Sequence, residues 1–392
     1  MSAATTTSHT PWPTVKLGDV CALKNGYTPK AEELSEQGVI PYFRISAMNF
    51  EGNEKRMIKP TAWLVSKKRC FNAGSIVFPK NGGAVYTRKV RVLEHDSVVD
   101  LNTGVCTPDK KTIDCEYLYH WFSNLNITDV VVEGTIPFVD FGMLREVFIP
   151  LPPLDVQREI VAKVEAGLKE ADGLVAHFKR LAALADDTFK AELDETFSTL
   201  NAPTVKLGDV CETCSGGTPL RTMREYYEDG DIPWLRSGEV CQKDIVQTEM
   251  FITQKGVDNS SAKKVPINTV VVAMYGATAG QVGILRIEST TNQAVCGILP
   301  SEKHLPEFLY YQLLSMKNVM VSQAQGGAQP NISQIKIKNL EIKFPSLDEQ
   351  ARIVARLEAA KARCERLKAE SERGLKAAEA LRKAVLAEAF EQ

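Results

Sequence analysis

The sequence predicts an α+β chain: two mixed α/β modules, each followed by one long helix, with the two helices paired antiparallel as a coiled coil in an approximately twofold tandem repeat. Three observations carry this. Val15-Lys16-Leu17-Gly18-Asp19-Val20-Cys21 returns letter for letter as Val205-Lys206-Leu207-Gly208-Asp209-Val210-Cys211, so the 392 residues are a duplication. Residues 15–150 and 201–345 are short β-branched runs broken by Gly, Pro and Asn, the pattern of mixed modules with much loop. Residues 151–200 and 346–392 are almost free of breakers and step their apolar residues by threes and fours.

Residues 1–14 are rich in Ser, Thr and Pro and lack a basic start with an apolar core, so they read as a loose start and not a signal peptide. Within the modules, Gly26-Tyr27-Thr28-Pro29 matches Gly216-Gly217-Thr218-Pro219, and Ile40–Arg44 matches Ile232–Arg236. Ser75–Phe78 matches Thr269–Val272, Glu116–Tyr119 matches Glu307–Tyr310, and Gly134–Pro137 matches Gly327–Pro330. Between these, Leu101-Asn102-Thr103-Gly104 aligns with Thr291-Asn292-Gln293-Ala294, and Cys106 with Cys296. Landmarks agree while the residues between them diverge, as expected of one scaffold carrying different loops.

Each helical part starts after proline, at Pro150–Gln157 and Pro345–Gln350, with Asp155 and Asp348 placed to cap. The first seam runs Ile160, Val164, Gly167, Ala171, Leu174, Phe178, Leu181, Ala185. The second runs Ile353, Leu357, Ala360, Cys364, Leu367, Ser371, Gly374, Ala378 at a constant offset. Phe178 and Leu181 thus correspond to Ser371 and Gly374, which suits large packing against small. About 45 residues at 1.5 Å each give ~65 Å, more than an amphipathic helix lying on one small module needs.

Composition sets bounds on function. With 44% hydrophobic and 24% charged residues and no long apolar run, the chain reads as soluble and without a membrane span. Nine scattered cysteines fit small buried residues in a reducing cytoplasm. The net charge of −2 does not advertise nucleic-acid binding. Its distribution is less neutral: Lys67, Lys68, Arg69, Lys80, Arg88, Lys89 and Arg91 follow one another with no acidic residue between, interleaved with Phe71, Phe78 and Tyr86. A solvated surface is the plain alternative. No phosphate-binding P-loop and no histidine ligand spacing is present. Cys211-x-x-Cys214 is a lone pair, and Gly276–Gly283 lies between two apolar runs, as a hairpin of small residues would. Glu341-Ile342-Lys343 has no matching Asp of a nuclease site. Without a catalytic constellation the chain reads as a non-enzyme.

V-K-L-G-D-V-C, G-x-T-P, I-P-W-L-R, V-V-V-A-M-Y-G-A-T-A-G, T-N-Q-A-V and P-x-L-D-E-Q-A-R-I-V before a long helix together resemble the specificity subunit of type I DNA restriction–modification systems, from Val15 to Gln392. The resemblance implies two target recognition domains, 15–150 and 201–345, each reading half of a bipartite site in double-stranded DNA. It implies helical regions 151–200 and 346–392 that pack antiparallel and dock two methyltransferase subunits. S-adenosylmethionine would sit on those partners, and ATP with Mg on a restriction and motor subunit, leaving this chain without a cofactor. The first repeat departs from the pattern at Asn81–Ala84 and Leu101–Gly104. Two copies suit a duplex, whose outside is also dyadic. Candidate DNA contacts are the polar loop residues beside the landmarks: Arg44, Lys80, Asn81, Arg88 and Lys89, then Arg236, Tyr275, Gln281, Gln329 and Asn331. The competing class is a scaffold or adaptor that binds two protein partners and no DNA. A fused restriction–methylation fragment is disfavoured by its missing motifs.

Overall fold

The computed structural model of the chain describes residues 12–65, 70–322 and 331–390. It divides into two compact units, Met1–Phe178 with Arg373–Gln392, and Lys179–Glu372. Each takes in one module and half of each long helix.

In the first unit the repeated heptapeptide forms a strand, Thr14–Lys16, paired antiparallel with Phe148–Pro150, and then one helical turn, Leu17–Val20, that buries Leu17 and Val20. Cys21–Asn25 follows as the edge of a five-stranded sheet ordered Cys21–Asn25, Thr103–Pro108, Ile76–Pro79, Arg91–Leu93, Arg56–Met57. Only the last pair is parallel. The short helix Cys115–Asn124 is capped by Asp114, whose carboxylate accepts from the Glu116 and Tyr117 amides. It brings Tyr117, Leu118 and Phe122 into one core with Ile76 and Phe78. The end of the second long helix closes that core, with the Phe390 ring 5.3 Å from Tyr117.

The second unit repeats this frame. Thr204–Lys206 pairs with Glu341–Lys343, and the sheet order is Thr213–Ser215, Val295–Ile298, Val270–Ala273, Val282–Leu285, Asp244–Ile245. Phe197, at the end of the first long helix, packs on Phe308 of the helix Pro306–Ser315 as Phe390 packs on Tyr117. A smaller sheet in each unit sets Ile40–Phe43 parallel to Val98–Val99, and Ile232–Leu235 parallel to Ser289–Thr291. The G-x-T-P landmarks have a steric reason. A Cβ on Gly26 would strike the Asp100 carbonyl, and one on Gly216 the Thr291 carbonyl.

Backbone hydrogen bonds correct one part of the sequence alignment. The Asp100 amide donates to the Phe43 carbonyl and the Asn292 amide to the Leu235 carbonyl, while Thr103 N donates to Asp100 O and Val295 N to Asn292 O. Asp100 is therefore the partner of Asn292, and Asn102 of Ala294. Cys106 pairs with Ile76, but Cys296 pairs with Val272; the strand partner of Val270, the counterpart of Ile76, is Ile298. Cys106 and Cys296 are thus not equivalent. Two buried cysteines on one strand type suggested an identity that the ladder places two residues apart.

The two long helices are Leu154–Ser198 and Leu347–Phe390. Asp155 and Asp348 sit second in the first turn, where they favour the positive helix end but do not cap it. Ser346 caps the second helix, its hydroxyl accepting from the Glu349 amide. The helices pack antiparallel in each unit. In the first, Gly167 faces Val385, Arg382 pairs with Asp172 at 3.2 Å, and Phe178 covers Gly374, where any Cβ would collide with its ring. In the second, Lys368 pairs with Asp186, Arg363 with Glu192 at 3.2 Å, and Arg356 donates to the Thr196 hydroxyl. Val164, Ala171, Ala185, Ile353, Leu357, Ala360, Ser371 and Ala378 are buried, and Ile160, Gly167, Phe178, Leu181, Cys364, Leu367 and Gly374 partly so. Leu174 departs from its expected seam position and is 36% exposed. The contacts on either side place it against the small residues Ala378 and Gly374, which leave it half uncovered.

Candidate nucleic-acid interface

In the first unit the antiparallel ladder brings Asn25, Lys80 and Asn102 to one rim of the five-stranded sheet. The Lys80 ammonium donates to Asn25 Oδ1 at 2.9 Å and lies 5.9 Å from the Phe141 ring centroid. Asn81 Nδ2 donates to Asn102 Oδ1 at 3.4 Å. Gly82 takes a positive φ of 71°, which needs glycine, and its amide donates to Pro137 O, tying the rim to the hairpin Val131–Val132/Phe138–Val139. Exposed Leu101, Ile136, Phe138 and Tyr86 surround these polar groups.

Arg44, Arg88 and Lys89 lie around the same loops. Arg44 is exposed and precedes the 3-10 turn Ile45–Asn49; the Ile45 amide donates to Asp100 Oδ2 at 3.1 Å. Lys89 donates to Asn49 Oδ1. Arg88 holds a left-handed backbone, φ 51°, and donates to Asn126 Oδ1 at 2.7 Å. Lys67, Lys68 and Arg69 lie outside the described residues.

The second unit places different residues on the same backbone positions. Lys80 is replaced by Met274, whose amide donates to Ala294 O as that of Lys80 does to Asn102 O. Asn81 is replaced by Tyr275, and Phe138 by Asn331, joined by the same isolated bridge. Both Tyr275 and Asn331 are exposed. The Thr218 hydroxyl donates to Gln293 Oε1 beside them. Gln281 is half-buried and closes the hairpin between Val270–Ala273 and Val282–Leu285 through its backbone. Arg236 is already held, its guanidinium paired with Glu239 at 3.1 Å and with Glu249. Gln329 lies outside the described residues.

Sequence reasoning passed over Asn25, Asn102, Thr218 and Gln293, since only the ladder brings them beside the chosen residues. It also passed over two buried glutamines. Gln157 Oε1 accepts from the Asp114 amide, and its Nε2 donates to the Thr112 and Pro152 carbonyls. Gln350 does the same with the Leu305 amide and the Lys303 and Pro345 carbonyls. Each long helix is thereby fastened to the loop that starts the short helix. Their shared place in the P-x-L-D-x-Q motif was the available signal.

A charged cluster lies where each module meets its long helix. Glu116, His120 and Glu165 bring ligand atoms within 4.8 Å of one another. The Lys55 ammonium already sits between the two carboxylates, 2.9 Å from Glu116 and 2.6 Å from Glu165, so it takes the place a cation would need. Burial alone would lower Lys55, but hydrogen bonds to those glutamates outweigh it and hold it above its usual range. Burial, aided by Lys55, holds His120 below its usual range. In the second unit Cys211 lies 3.7 Å from His304, but burial pushes that thiol up to about 11 and His304 down. A protonated thiol beside a neutral imidazole is no nucleophile.

Comparison with known proteins agrees with this architecture. The family model described as "Type I restriction modification DNA specificity domain" matches residues 9–171 and 201–377. The chain is 24% identical over 258 residues to the type I restriction enzyme EcoR124I/EcoR124II specificity subunit of Escherichia coli, covering 63% of each chain. That is less than two thirds of the relative's length. Two other relatives, MjaIX of Methanocaldococcus jannaschii and HindI of Haemophilus influenzae, are matched over 35% and 31% of theirs. The HsdS subunit from Thermoanaerobacter tengcongensis shares the fold at a TM-score of 0.65 with 20% identity, covering 97% of this chain and 96% of that one.

Proposed function

The chain belongs to the type I restriction–modification DNA specificity family, and on that premise we propose that each module reads one half of a bipartite site in double-stranded DNA while the long helices dock two methyltransferase subunits. The observation that carries this reading is one backbone frame with exchanged rims. Lys80, Asn81, Asn102 and Phe138 stand where Met274, Tyr275, Ala294 and Asn331 stand in the other unit. A fixed frame with different edge chemistry is what reading two unlike half-sites requires. In the major groove, amides match adenine and a lysine matches guanine, so Asn25, Lys80, Asn81 and Asn102 suit direct readout. In the second unit Tyr275, at the place of Asn81, and Asn331, at the place of Phe138, are the exposed polar groups of the rim, with Gln293 one residue before Ala294. Arg236 would have to exchange Glu249 for a base.

The chain selects and does not catalyse. S-adenosylmethionine belongs to the methyltransferase partners, and ATP with Mg to a restriction and motor subunit. With a net charge of −2 the chain as a whole offers little long-range attraction to phosphates, so on this reading those partners complete the clamp on the backbone. The setting is the cytoplasm; among the described residues no helix is long and apolar enough to cross a membrane.

Sequencing methylated sites in cells carrying this chain with its methyltransferase partners tests the reading. A bipartite motif is expected. Asn81→Ala should relax one position of one half, at about 1–3 kcal/mol. Lys89→Ala should weaken all sites alike and flatten the salt dependence. Methylation without any bipartite motif would leave the chain as a scaffold joining two proteins.

A further inference from the structure

Two lysines hold equivalent places at the far edge of the two large sheets. Lys55 precedes Arg56–Met57, and its carbonyl accepts from the Val92 amide; Lys243 precedes Asp244–Ile245, and its carbonyl accepts from the Ile284 amide. Each side chain crosses to its long helix. Lys55 reaches Glu165, and Lys243 reaches Glu358, the same position one repeat later. Each also lies over the short helix, 5.4 Å from the Tyr119 ring in one unit, and 6.0 and 5.3 Å from Tyr310 and Tyr311 in the other.

The surroundings of this pair have diverged. Arg56 pairs with Glu94 in the first unit, while Asp244 pairs with Arg286 at the same two positions in the second, with the charges reversed. His120 stands where Tyr311 stands. The lysine and its glutamate remain in both. The lysine side chains are 37% and 12% exposed and the glutamates 47% and 40%, so the pairs are only partly shielded. An ion pair as exposed as Lys55–Glu165 adds little stability, and Lys243–Glu358 is the more shielded of the two. Their persistence points to geometry. The buried glutamines, Gln157 and Gln350, are one fastening of module to helix. Glu165 and Glu358 lie eight residues further on, about 12 Å along the axis. Apolar packing also joins helix and module, through Ile160 and Phe390 in one unit and Phe197, Ile353 and Leu357 in the other; the ion pair adds a directional contact further along the axis.

We infer that Lys55 and Lys243 are positioning residues that fix the angle of each module on its long helix, and thereby narrow the range of half-site spacings the chain accepts. This rests on the proposed DNA reading. A site with one base pair more or less in its spacer asks a module to shift by about 3.4 Å along the duplex and to turn with it, and the stiffness of the junction opposes that movement.

The test uses the complete complex in cells. Methylated sites are sequenced for wild type, Lys55→Met, Lys243→Met, the double variant, and the charge exchange Lys243→Glu with Glu358→Lys; the melting temperature of each purified complex is measured alongside. Expected are unchanged half-site sequences, with melting temperatures lowered a little in the Met variants, whose glutamates lose their cation, and recovered in the charge exchange. Methylation at spacers one base pair off should rise about fivefold relative to the cognate spacer in each Met variant, equivalent to about 1 kcal/mol. The charge exchange should restore wild-type selectivity. An unchanged spacer spectrum in the double variant overturns the inference. So does a loss of methylation in the Met variants that accompanies lowered melting and is not restored by the charge exchange. A wild-type complex with no bipartite motif would instead defeat the functional reading itself.

Discussion

The two units share a backbone and differ in what they place on it. Sheet order, the parallel edge strand and the glutamine fastening agree position by position. Yet Arg56–Glu94 in one is Asp244–Arg286 in the other, and Lys80–Asn81 is Met274–Tyr275. The difference separates what the frame demands from what it tolerates. A buried amide with three hydrogen bonds stays, because losing one partner strands the others in the dark interior of the protein. The Arg56–Glu94 pair can reverse, because in either order the arginine also reaches the glutamate of the short helix, Glu116 in one unit and Glu307 in the other.

The fastening should give the largest effect. Gln157→Leu or Gln350→Leu removes a fully buried amide and leaves the Asp114 or Leu305 amide and two carbonyls without it. A loss of about 2–4 kcal/mol is expected in either unit by denaturant unfolding; unequal costs would show that the two fastenings are not equivalent. Next comes the helix seam. Gly374→Ala improves helix propensity by about 1 kcal/mol, but its methyl meets the Phe178 ring. Net destabilisation of about 1–3 kcal/mol is expected, and Phe178→Leu should recover part of it. A stabilised Gly374→Ala would mean that Phe178 does not fill that place.

Reversing charge sharpens the comparison further. Arg56→Asp alone sets two acids beside Glu116 and should cost about 1 kcal/mol. Adding Glu94→Arg copies the second unit and should return most of it in a double-mutant cycle. The smallest effect concerns acid. The folded state holds His120 below its usual value, so below about pH 6.5 the unfolded chain binds more protons. Stability from this group is full above that pH and falls as pH drops. His120→Tyr, the residue of the second unit, should shrink the loss between pH 7 and 5 in thermal melts.

Much of this architecture was legible in the residues. The identical heptapeptide, the proline stops and the heptad steps gave two modules, two helices and their antiparallel pairing, because each is a local pattern with a local cause. Large-against-small packing was also visible, and the structure realises it as Phe178 on Gly374. What stayed hidden depended on distant partners. Lys55 and Glu165 carry no mark in sequence of their meeting. The alignment slipped by two at Cys106 and Cys296 because residue identity was read where ladder register decides. Leu174 had the right spacing, but its exposure depends on the size of the residues opposite.

The most direct test of the central claim is a module exchange. Val15–Pro150 is replaced by the corresponding module of another family member, and the sites methylated by the assembled complex are sequenced. Reading by separate modules predicts that one half of the motif changes while the half read through Thr204–Phe344 stays as it was. A change in both halves at once would show that the two modules read DNA jointly and would contradict the account.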